Sequence, residues 1–285
     1  MPSRSVRESQ FATSAAPTKM SSGKCLTLIL LLAGWLTGVS GFKFDASAYC
    51  DLPYCGANNV VCLKTNYSFE CRPMAKFVKL KHYKTEILGA INGFRNKAAI
   101  GLTRYLMPAG RMARVDWSDE LEYFARADLM TCMPLPRPCM TSPNIPNIGS
   151  IFDTDGYQGK EKKNQEVVLN IMSKWFDEGE YVTKEQLMYL EERKDSKSTY
   201  RPVLLMTDRN TLVGCSALKF TEDRNNYFYL SCCFSTVGMK HTAIYQIAMS
   251  AGALCKRRDV QFKNLCALGE KYPDNMKIYS DQYMR

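Results

Sequence analysis

Histidine is almost absent from this sequence, and its scarcity limits the chemistry that the chain can perform. Two histidines, His82 and His241, occur among 285 residues. A serine nucleophile needs a base within reach, and the sequence contains no Gly-x-Ser-x-Gly motif of the kind that forms a nucleophile elbow. We interpret His82 as a surface residue at a helix start and His241, next to Lys240, as solvated. The composition therefore argues against serine hydrolase chemistry.

Long apolar runs are also scarce. One such run covers residues 25–40, and no second run of comparable length follows. A membrane-spanning helix needs about 20 apolar residues, so this run is short for a span. It follows Lys19 and Lys24 and ends in small residues, which is the layout of a cleaved signal peptide. We predict a signal peptide over residues 1–41, with Met20 as a possible true start, and an uncleaved signal anchor is the alternative. The mature protein is then expected to be secreted, without a transmembrane segment.

Clustered charge is the third feature that the chain has little of. The formal net charge is +10, and removal of the leader, with four basic residues and one acid, lowers it to +7. The basic residues are scattered, and the short run Lys256-Arg257-Arg258 is their main cluster. No basic stripe interleaved with aromatic residues occurs, so we predict no nucleic-acid partner.

Cysteine, by contrast, is abundant, because eleven of the twelve cysteines follow the leader. Thiols at this density persist as disulfides in an oxidising compartment, which agrees with secretion. The run from Phe42 to Pro73 has little periodicity and is expected to be held by disulfides rather than by a core. It contains the N-glycosylation acceptor Asn66-Tyr67-Ser68.

Apolar periodicity predicts three helices. One face of the first contains Ile87, Ile91, Phe94 and Ala98, which follow the spacing of an amphipathic helix. The second begins after Ser118, a favourable N-cap followed by two acids, and runs to about Thr131. The third spans about residues 165–177.

The rest of the chain is predicted to be loops and strands. Residues 133–160 are rich in Pro, Asn, Gly and Ser and are expected to form a long loop, whereas residues 184–200 are highly charged and are expected to be helical at first and then irregular. Two strand-like runs, 211–218 and 227–232, are joined by a polar link and predict a hairpin in which Cys215 faces Cys232. Helices followed by strands indicate an α+β domain with helices covering an antiparallel sheet.

Several blocks of this sequence resemble one protein family. The blocks are Ile87–Asn96, Met112–Trp117 with Glu120-Leu121, Trp175–Glu178, Val213–Cys215 and Tyr229–Cys232. Together they resemble the CAP superfamily of cysteine-rich secretory, antigen 5 and pathogenesis-related 1 proteins, in particular insect antigen 5-like secreted proteins. The resemblance implies a three-layer α-β-α sandwich. It divides the chain into a cysteine-rich N-terminal segment (42–79), a CAP domain (80–240) and a C-terminal extension with one cysteine pair (241–285).

The resemblance also implies a disulfide pattern that the spacing alone does not determine. The implied pairs are Cys50–Cys62, Cys55–Cys139, Cys71–Cys132, Cys215–Cys232 and Cys255–Cys266. Cys233 is then left over. It follows Cys232 on a strand, so its side chain is expected on the opposite face, buried as a small apolar group. An intermolecular disulfide and a reactive thiol are the alternatives.

Family members often have a cleft with two histidines and two acidic side chains, and the resemblance places Ile91, Ser150 and Arg201 at three of these positions. Glu178 alone retains its acid. Arginine has no free lone pair and cannot bind a metal ion, but its planar fork suits a carboxylate. We therefore predict an Arg201–Glu178 ion pair that fills a degenerate cleft, with no metal, no cofactor and no catalytic residue.

These observations favour a secreted, non-enzymatic binding or signalling protein of the antigen 5-like type, in a reproductive, salivary or other extracellular fluid. Its partner would be an unidentified extracellular protein, contacted through loops 133–160 and 184–201. A lipid or sterol carrier is the alternative, which requires an apolar groove between helices or under a loop. A hydrolase is the third interpretation, and it is disfavoured because the histidines of the family's cleft are missing.

Overall fold

The computed structural model describes residues 45–63, 74–101, 106–133, 136–191 and 199–277. The predicted leader, the glycosylation acceptor Asn66 and Cys71 lie outside these ranges. Six helices are α1 (Ala46–Cys50), α2 (Lys84–Ala98), α3 (Asp119–Met130), α4 (Asn164–Asp177), α5 (Lys184–Met188) and α6 (Tyr200–Met206). Five strands of this part of the chain are β1 (Lys76–Val78), β2 (Asp116–Trp117), β3 (Gly149–Gln158), β4 (Leu212–Glu222) and β5 (Asn225–Phe234).

One sheet contains all of these strands. Its order is β1-β4-β5-β3 with antiparallel pairing, and the two-residue β2 runs parallel to β4. The predicted hairpin is confirmed, since β4 and β5 pair along their length and place Cys215 opposite Cys232.

The prediction of a loop over residues 133–160 is wrong for its second half, because β3 pairs with β5 along all of Gly149–Gln158. Its first four residues are buried, and from Asp153 onward its side chains alternate between partly buried and exposed. Gly, Ser, Thr and Asp occupy this edge strand, so the apolar alternation that marks a half-buried strand is weak. Pairing with β5, rather than local propensity, makes this segment a strand.

Helices cover both faces of the sheet. Cys215 and Ala217 of β4 lie in an apolar core that also contains the buried residues of α2, α4 and α6. Leu218 and Phe220, on the other face of the same strand, pack with Leu129 of α3. Alternate residues of a strand face opposite sides, so the chain forms the three-layer α-β-α sandwich that the resemblance implies.

Helix α2 forms where the periodicity predicts it, and its predicted face is buried. Asn92 on this helix accepts a hydrogen bond from Val115 N (2.9 Å) and donates one to Val115 O (3.0 Å). One turn later the fully buried Arg95 donates to five backbone carbonyls, those of Ala113, Leu205, Thr207, Asp208 and Asn210. Burial lowers the pKa of Arg95 to about 10, so it stays protonated at neutral pH. Asn92 and Arg95 together fasten the segments that precede β2 and β4 onto α2.

Helix α3 begins as predicted, because the Ser118 hydroxyl accepts a hydrogen bond from Leu121 N (3.2 Å). The first turn of α3 lies directly on β4 at Gly214. A Cβ atom at Gly214 would stand 2.1 Å from the backbone nitrogen of Glu122, which is far inside contact distance. Glycine at this position is therefore what allows α3 to approach the sheet so closely.

Four of the five implied disulfides lie within the described residues, and all four are present: Cys50–Cys62, Cys55–Cys139, Cys215–Cys232 and Cys255–Cys266. Cys132 is also disulfide-bonded, whereas its predicted partner Cys71 lies outside the described residues. Such cross-links stabilise by about 2–4 kcal/mol each through restriction of the unfolded chain. Cys55–Cys139 fastens the N-terminal segment to the segment that precedes β3, whereas Cys50–Cys62 closes a loop within the N-terminal segment.

Candidate functional site

A buried ion pair lies between α3 and the sheet, at the end of β3 where Ser150 sits. Arg137 pairs with Asp128 of α3, and their side chains are 6% and 0% exposed. The second carboxylate oxygen of Asp128 accepts a hydrogen bond from the Ser231 hydroxyl of β5 (2.6 Å). Arg137 also donates from Nε to the Ser150 hydroxyl (3.1 Å). Helix α3, strands β3 and β5 and the segment that contains Arg137 are therefore linked through one carboxylate and one guanidinium.

Burial raises the pKa of Asp128 above its ordinary value, and the positive charge of Arg137 and the Ser231 hydrogen bond act against this shift without cancelling it. A buried carboxylate is costly unless it is paired and hydrogen-bonded. Arg137 therefore serves mainly to make ionised Asp128 tolerable inside the protein.

A small pocket opens beside this ion pair. Tyr200 of α6 donates from its hydroxyl to Ser150 O (2.9 Å), and burial raises the pKa of Tyr200 to about 12. The pocket has a volume of about 40 Å³, and its lining consists of Tyr54, Arg137, Pro138, Cys139, Met140, Asn147, Ile148, Gly149, Ser150, Tyr200 and Val237. One water molecule needs at least about 10–15 Å³ of such volume, so this space suits water and is far below the roughly 300 Å³ of a drug-sized ligand pocket.

A second charged cluster lies on the α4 and α6 side of β3. Arg201 Nη1 bonds Glu178 Oε1 at 2.5 Å, and its Nη2 lies 3.5 Å from Asp153 Oδ2. The same Asp153 oxygen accepts a hydrogen bond from Trp175 Nε1 (2.8 Å). Burial raises the pKa of Glu178, with the Arg201 charge opposing it. The predicted Arg201–Glu178 pair is present, and Asp153 is a further carboxylate that the sequence reasoning missed.

The four residues assigned to the degenerate cleft do not form one site. Glu178 and Arg201 contact each other, while Ser150 belongs to the pocket with Tyr200, the neighbour of Arg201 on α6. Ile91 is fully buried in the main apolar core, on the inner face of α2, and is not among the residues that line the pocket. The chain thus keeps two adjacent polar clusters, one on each side of the start of α6.

Sequence reasoning missed Asp128, Arg137 and Tyr200. Asp128 occupies an inward position of α3 between the buried Ala125 and Leu129, and a carboxylate there signals a buried partner. The partner itself, Arg137, lies in a Pro-rich stretch whose path no periodicity indicates. Asp128 was therefore detectable from the helix pattern, whereas its pairing was not.

Cys233 is a free, fully buried cysteine, as the strand position predicts. Its sulfur lies 3.7 Å from the sulfur of Met140 in the small apolar cluster beneath α3. Burial and the nearby Asp128 charge raise the pKa of the Cys233 thiol well above its ordinary value. The protonated thiol is a poor nucleophile.

The described residues contain no group of three or more His, Cys, Asp or Glu side chains placed to hold a metal ion. Across the same ranges, no helix has the length and apolar character that crossing a membrane requires.

A groove with partly apolar walls runs between α2 and α4. Its volume is about 470 Å³, and Gly89, Gly93 and Phe94 form its α2 side while Phe176 forms its α4 side. The rings of Phe94 and Phe176 stack with centroids 4.9 Å apart. Added Cβ atoms at Gly89 and Gly93 would meet no atom within 4 Å, so the two glycines leave this groove open.

Comparison with known proteins agrees with the resemblance. The model of the cysteine-rich secretory protein (CAP) family matches residues 88–234. Tabinhibitin 1 of Tabanus yao is 28% identical over 234 residues, 81% of this chain and 91% of the relative. Venom allergen-1 of Aedes aegypti is 25% identical over 227 residues, 78% of this chain and 88% of the relative. Antigen 5 like allergen Cul n 1 of Culicoides nubeculosus is 26% identical over 146 residues, 51% of this chain and 65% of the relative.

Among solved structures, the chain is similar to NaASP2, crystallised with Zn2+. The TM-score is 0.49 at 17% sequence identity, and the similarity covers 65% of this chain and 95% of that one.

Proposed function

Since the chain belongs to the cysteine-rich secretory protein (CAP) family, we propose that it is a secreted, non-enzymatic binding protein of the antigen 5-like type. The observation that carries this proposal is that each of the three carboxylates in the two clusters is paired with an arginine. Asp128 is paired with Arg137, and Glu178 and Asp153 share Arg201. A carboxylate bound by arginine is a poor general base and a poor metal ligand.

The remaining polar groups of the pocket support the same reading. Tyr200 stays protonated at neutral pH because its pKa is raised, and Arg137 has no acceptor atom. Nucleophilic catalysis needs a nucleophile next to a base, and the Cys233 thiol is buried beside Asp128 with a raised pKa. This arrangement stabilises the fold and favours binding through the outer surface rather than catalysis in the cleft.

The proposal includes the processing and layout of the chain. Residues 1–41 are removed as a signal peptide, residues 42–79 form a disulfide-held N-terminal segment, residues 80–240 form the CAP domain, and residues 241–285 form an extension. Four disulfides are consistent with an oxidising, extracellular location. Expression of the full chain in insect cells tests this, because the medium is expected to contain a protein whose N-terminus lies near Phe42. A product retained in cell membranes with its leader intact would contradict secretion.

Titration with Zn2+ tests the loss of cleft chemistry. We expect no saturable heat of binding at micromolar Zn2+, because Arg201 keeps a positive charge between the two carboxylates. Micromolar binding that disappears in Asp153→Asn but persists in Asp155→Asn would refute the proposal. Asp155 is the matched control, since it lies on the same strand and pairs with Lys174 instead. A panel of ester and peptide substrates, with Glu178→Ala as control, is expected to show no turnover that depends on Glu178.

Lipid or sterol carriage is the second candidate, and the groove between α2 and α4 is the observation that favours it. Extraction of the purified protein with organic solvent, followed by mass spectrometry, shows whether a lipid is retained. Gly93→Leu would fill the groove without meeting another atom near its Cβ and is expected to abolish retention if the groove is the site. Thr85→Leu, an exposed change on the same helix, is the matched control that should retain the lipid.

A further inference from the structure

The C-terminal extension exposes large apolar side chains beside its basic run. Met249 is 100% exposed and Val260 is 89% exposed, with Leu254 and Leu268 at lower values. Single exposed apolar residues are ordinary on protein surfaces. Here four of them fall within residues 249–268, the same stretch that contains Lys256-Arg257-Arg258.

The charges of this stretch are unbalanced at the surface. Residues 249–268 contain four basic residues, Lys256, Arg257, Arg258 and Lys263, all of which are exposed, and one acid, Asp259. None of the four forms an ion pair within the part of the chain that the structure describes.

Asp259 does not neutralise these cations, because it faces inward. Its side chain is 5% exposed and pairs with Arg114 at 2.9 Å. Its other oxygen accepts hydrogen bonds from Gln261 N and Phe262 N. The next acid along the chain, Glu270, is likewise buried against Arg111. The outer surface of the stretch therefore presents positive charge alone.

Three features hold this surface in place. The Cys255–Cys266 disulfide closes the stretch, and backbone bridging between Arg258 and Cys266 makes it a short hairpin. Arg258 Nε donates to Gly252 O (3.1 Å), which links the hairpin to the preceding loop. A constrained surface loses less conformational entropy when it binds than a flexible tail would.

We propose that residues 249–268 form a peripheral membrane-binding surface for bilayers rich in anionic phospholipid. Lysine and arginine near an anionic surface are attracted to its headgroups, and exposed apolar side chains gain free energy on entering the acyl boundary. A sulfated polysaccharide would match the cations, but it would offer no apolar environment to Val260 or Met249. The combination of unpaired cations with exposed apolar side chains therefore favours a lipid surface over a soluble polyanion.

Vesicle co-sedimentation of the mature protein tests the proposal. We expect binding to phosphatidylcholine vesicles that contain phosphatidylserine, much weaker binding to phosphatidylcholine alone, and a decrease in high salt. The triple variant Lys256→Ala, Arg257→Ala, Lys263→Ala should bind on the order of a hundredfold more weakly, at about tenfold or less per lost cation. Arg258 is left intact because it supports the hairpin.

A matched control separates this surface from net charge. Lys160, Lys162 and Lys163 form a second exposed basic run, on the β3–α4 connection, and their replacement by alanine removes the same charge. This control variant should bind vesicles nearly as well as the unmodified protein. Equal losses in the two triple variants would overturn the assignment to residues 249–268.

A tryptophan in place of the exposed Val260 reports insertion directly. Val260→Trp is expected to show a blue-shifted emission and quenching by brominated lipid when anionic vesicles are added. Binding to immobilised heparin, together with no vesicle binding and no spectral change at residue 260, would refute the membrane proposal in favour of a polysaccharide surface. Neither result depends on whether the cleft is catalytic, so the proposed function stands or falls separately.

Discussion

Replacement of Arg137 by methionine is expected to destabilise the protein strongly at neutral pH. Methionine retains much of the side-chain volume but removes the charge that faces the fully buried Asp128. Loss of one partner of a buried ion pair costs about 3–5 kcal/mol, because the remaining charge is uncompensated. The Ser231 hydroxyl still donates to Asp128, so we expect a value near the lower end, about 3 kcal/mol.

The loss should depend on pH with a definite sign. Burial already raises the pKa of Asp128 in the folded protein, and removal of the Arg137 charge raises it further. A carboxyl group whose pKa is raised by folding contributes its full stabilisation of the folded state below its unfolded pKa of about 3.9. This stabilisation is lost as the pH rises through the pKa of the folded state. The deficit of Arg137→Met is therefore expected to be small near pH 4 and to grow toward pH 7.

Urea unfolding with the disulfides intact, followed by far-UV circular dichroism at several pH values, measures this deficit. The double variant Asp128→Asn with Arg137→Met should recover much of the lost stability at pH 7, because no buried charge remains. Lys174→Met, which breaks the exposed pair with Asp155, is the control and should cost less than about 1 kcal/mol. The reasoning fails if Arg137→Met costs less than about 1 kcal/mol at pH 7, or if its cost is the same at pH 4.

Three further outcomes are expected. Gly214→Ala should lower the unfolding free energy by about 1–3 kcal/mol or more, because the new Cβ would meet the backbone of Glu122. Gly93→Ala, the control, should be neutral or stabilising. Thermal unfolding compares the two variants, and equal effects would contradict the close approach of α3 to Gly214. Cys233 should resist a thiol reagent in the native protein and react once in denaturant, and rapid native labelling or a disulfide-linked dimer on non-reducing gels would show that it is accessible. Arg95→Lys should lower the free energy of unfolding in urea by about 3 kcal/mol or more, because one ammonium group replaces a guanidinium that donates to five backbone carbonyls. A near-neutral result would show that those hydrogen bonds are dispensable.

Helices α2 and α3 were predictable because their information is local. The spacing of Ile87 and Ile91 defines a buried face, and Ser118 is a cap whose hydrogen bond forms within one turn. Strand β3 was not predictable in the same way. Half of its residues, the glycines, the aspartates and Ser150, have little strand propensity. It becomes a strand because β5, far away in sequence, pairs with it along its whole length.

Of the candidate site, too, one part was predictable from the sequence and the rest depends on contacts between distant residues. Substitution of a cleft histidine by Arg201 predicts the ion pair with Glu178, because charge complementarity leaves few alternatives for an arginine beside a retained acid. The role of Asp153 depends on the register of β3, and the pairing of Asp128 with Arg137 depends on how a Pro-rich segment folds back over α3. The assignment of Ile91 to the cleft relied on a motif position alone, and the structure places this residue in the apolar core.

By itself the sequence determined the helix faces, the abundance of cysteine and the scarcity of histidine, since composition and short-range periodicity carry that information, and its resemblance to the CAP family indicated the fold. Tertiary structure alone decided which acid meets which arginine, how small the pocket is, and that the acid within the C-terminal basic stretch turns inward while the cations remain at the surface. These properties depend on distances between residues that are remote along the chain. Such distances are set by packing of the whole domain and not by any local pattern.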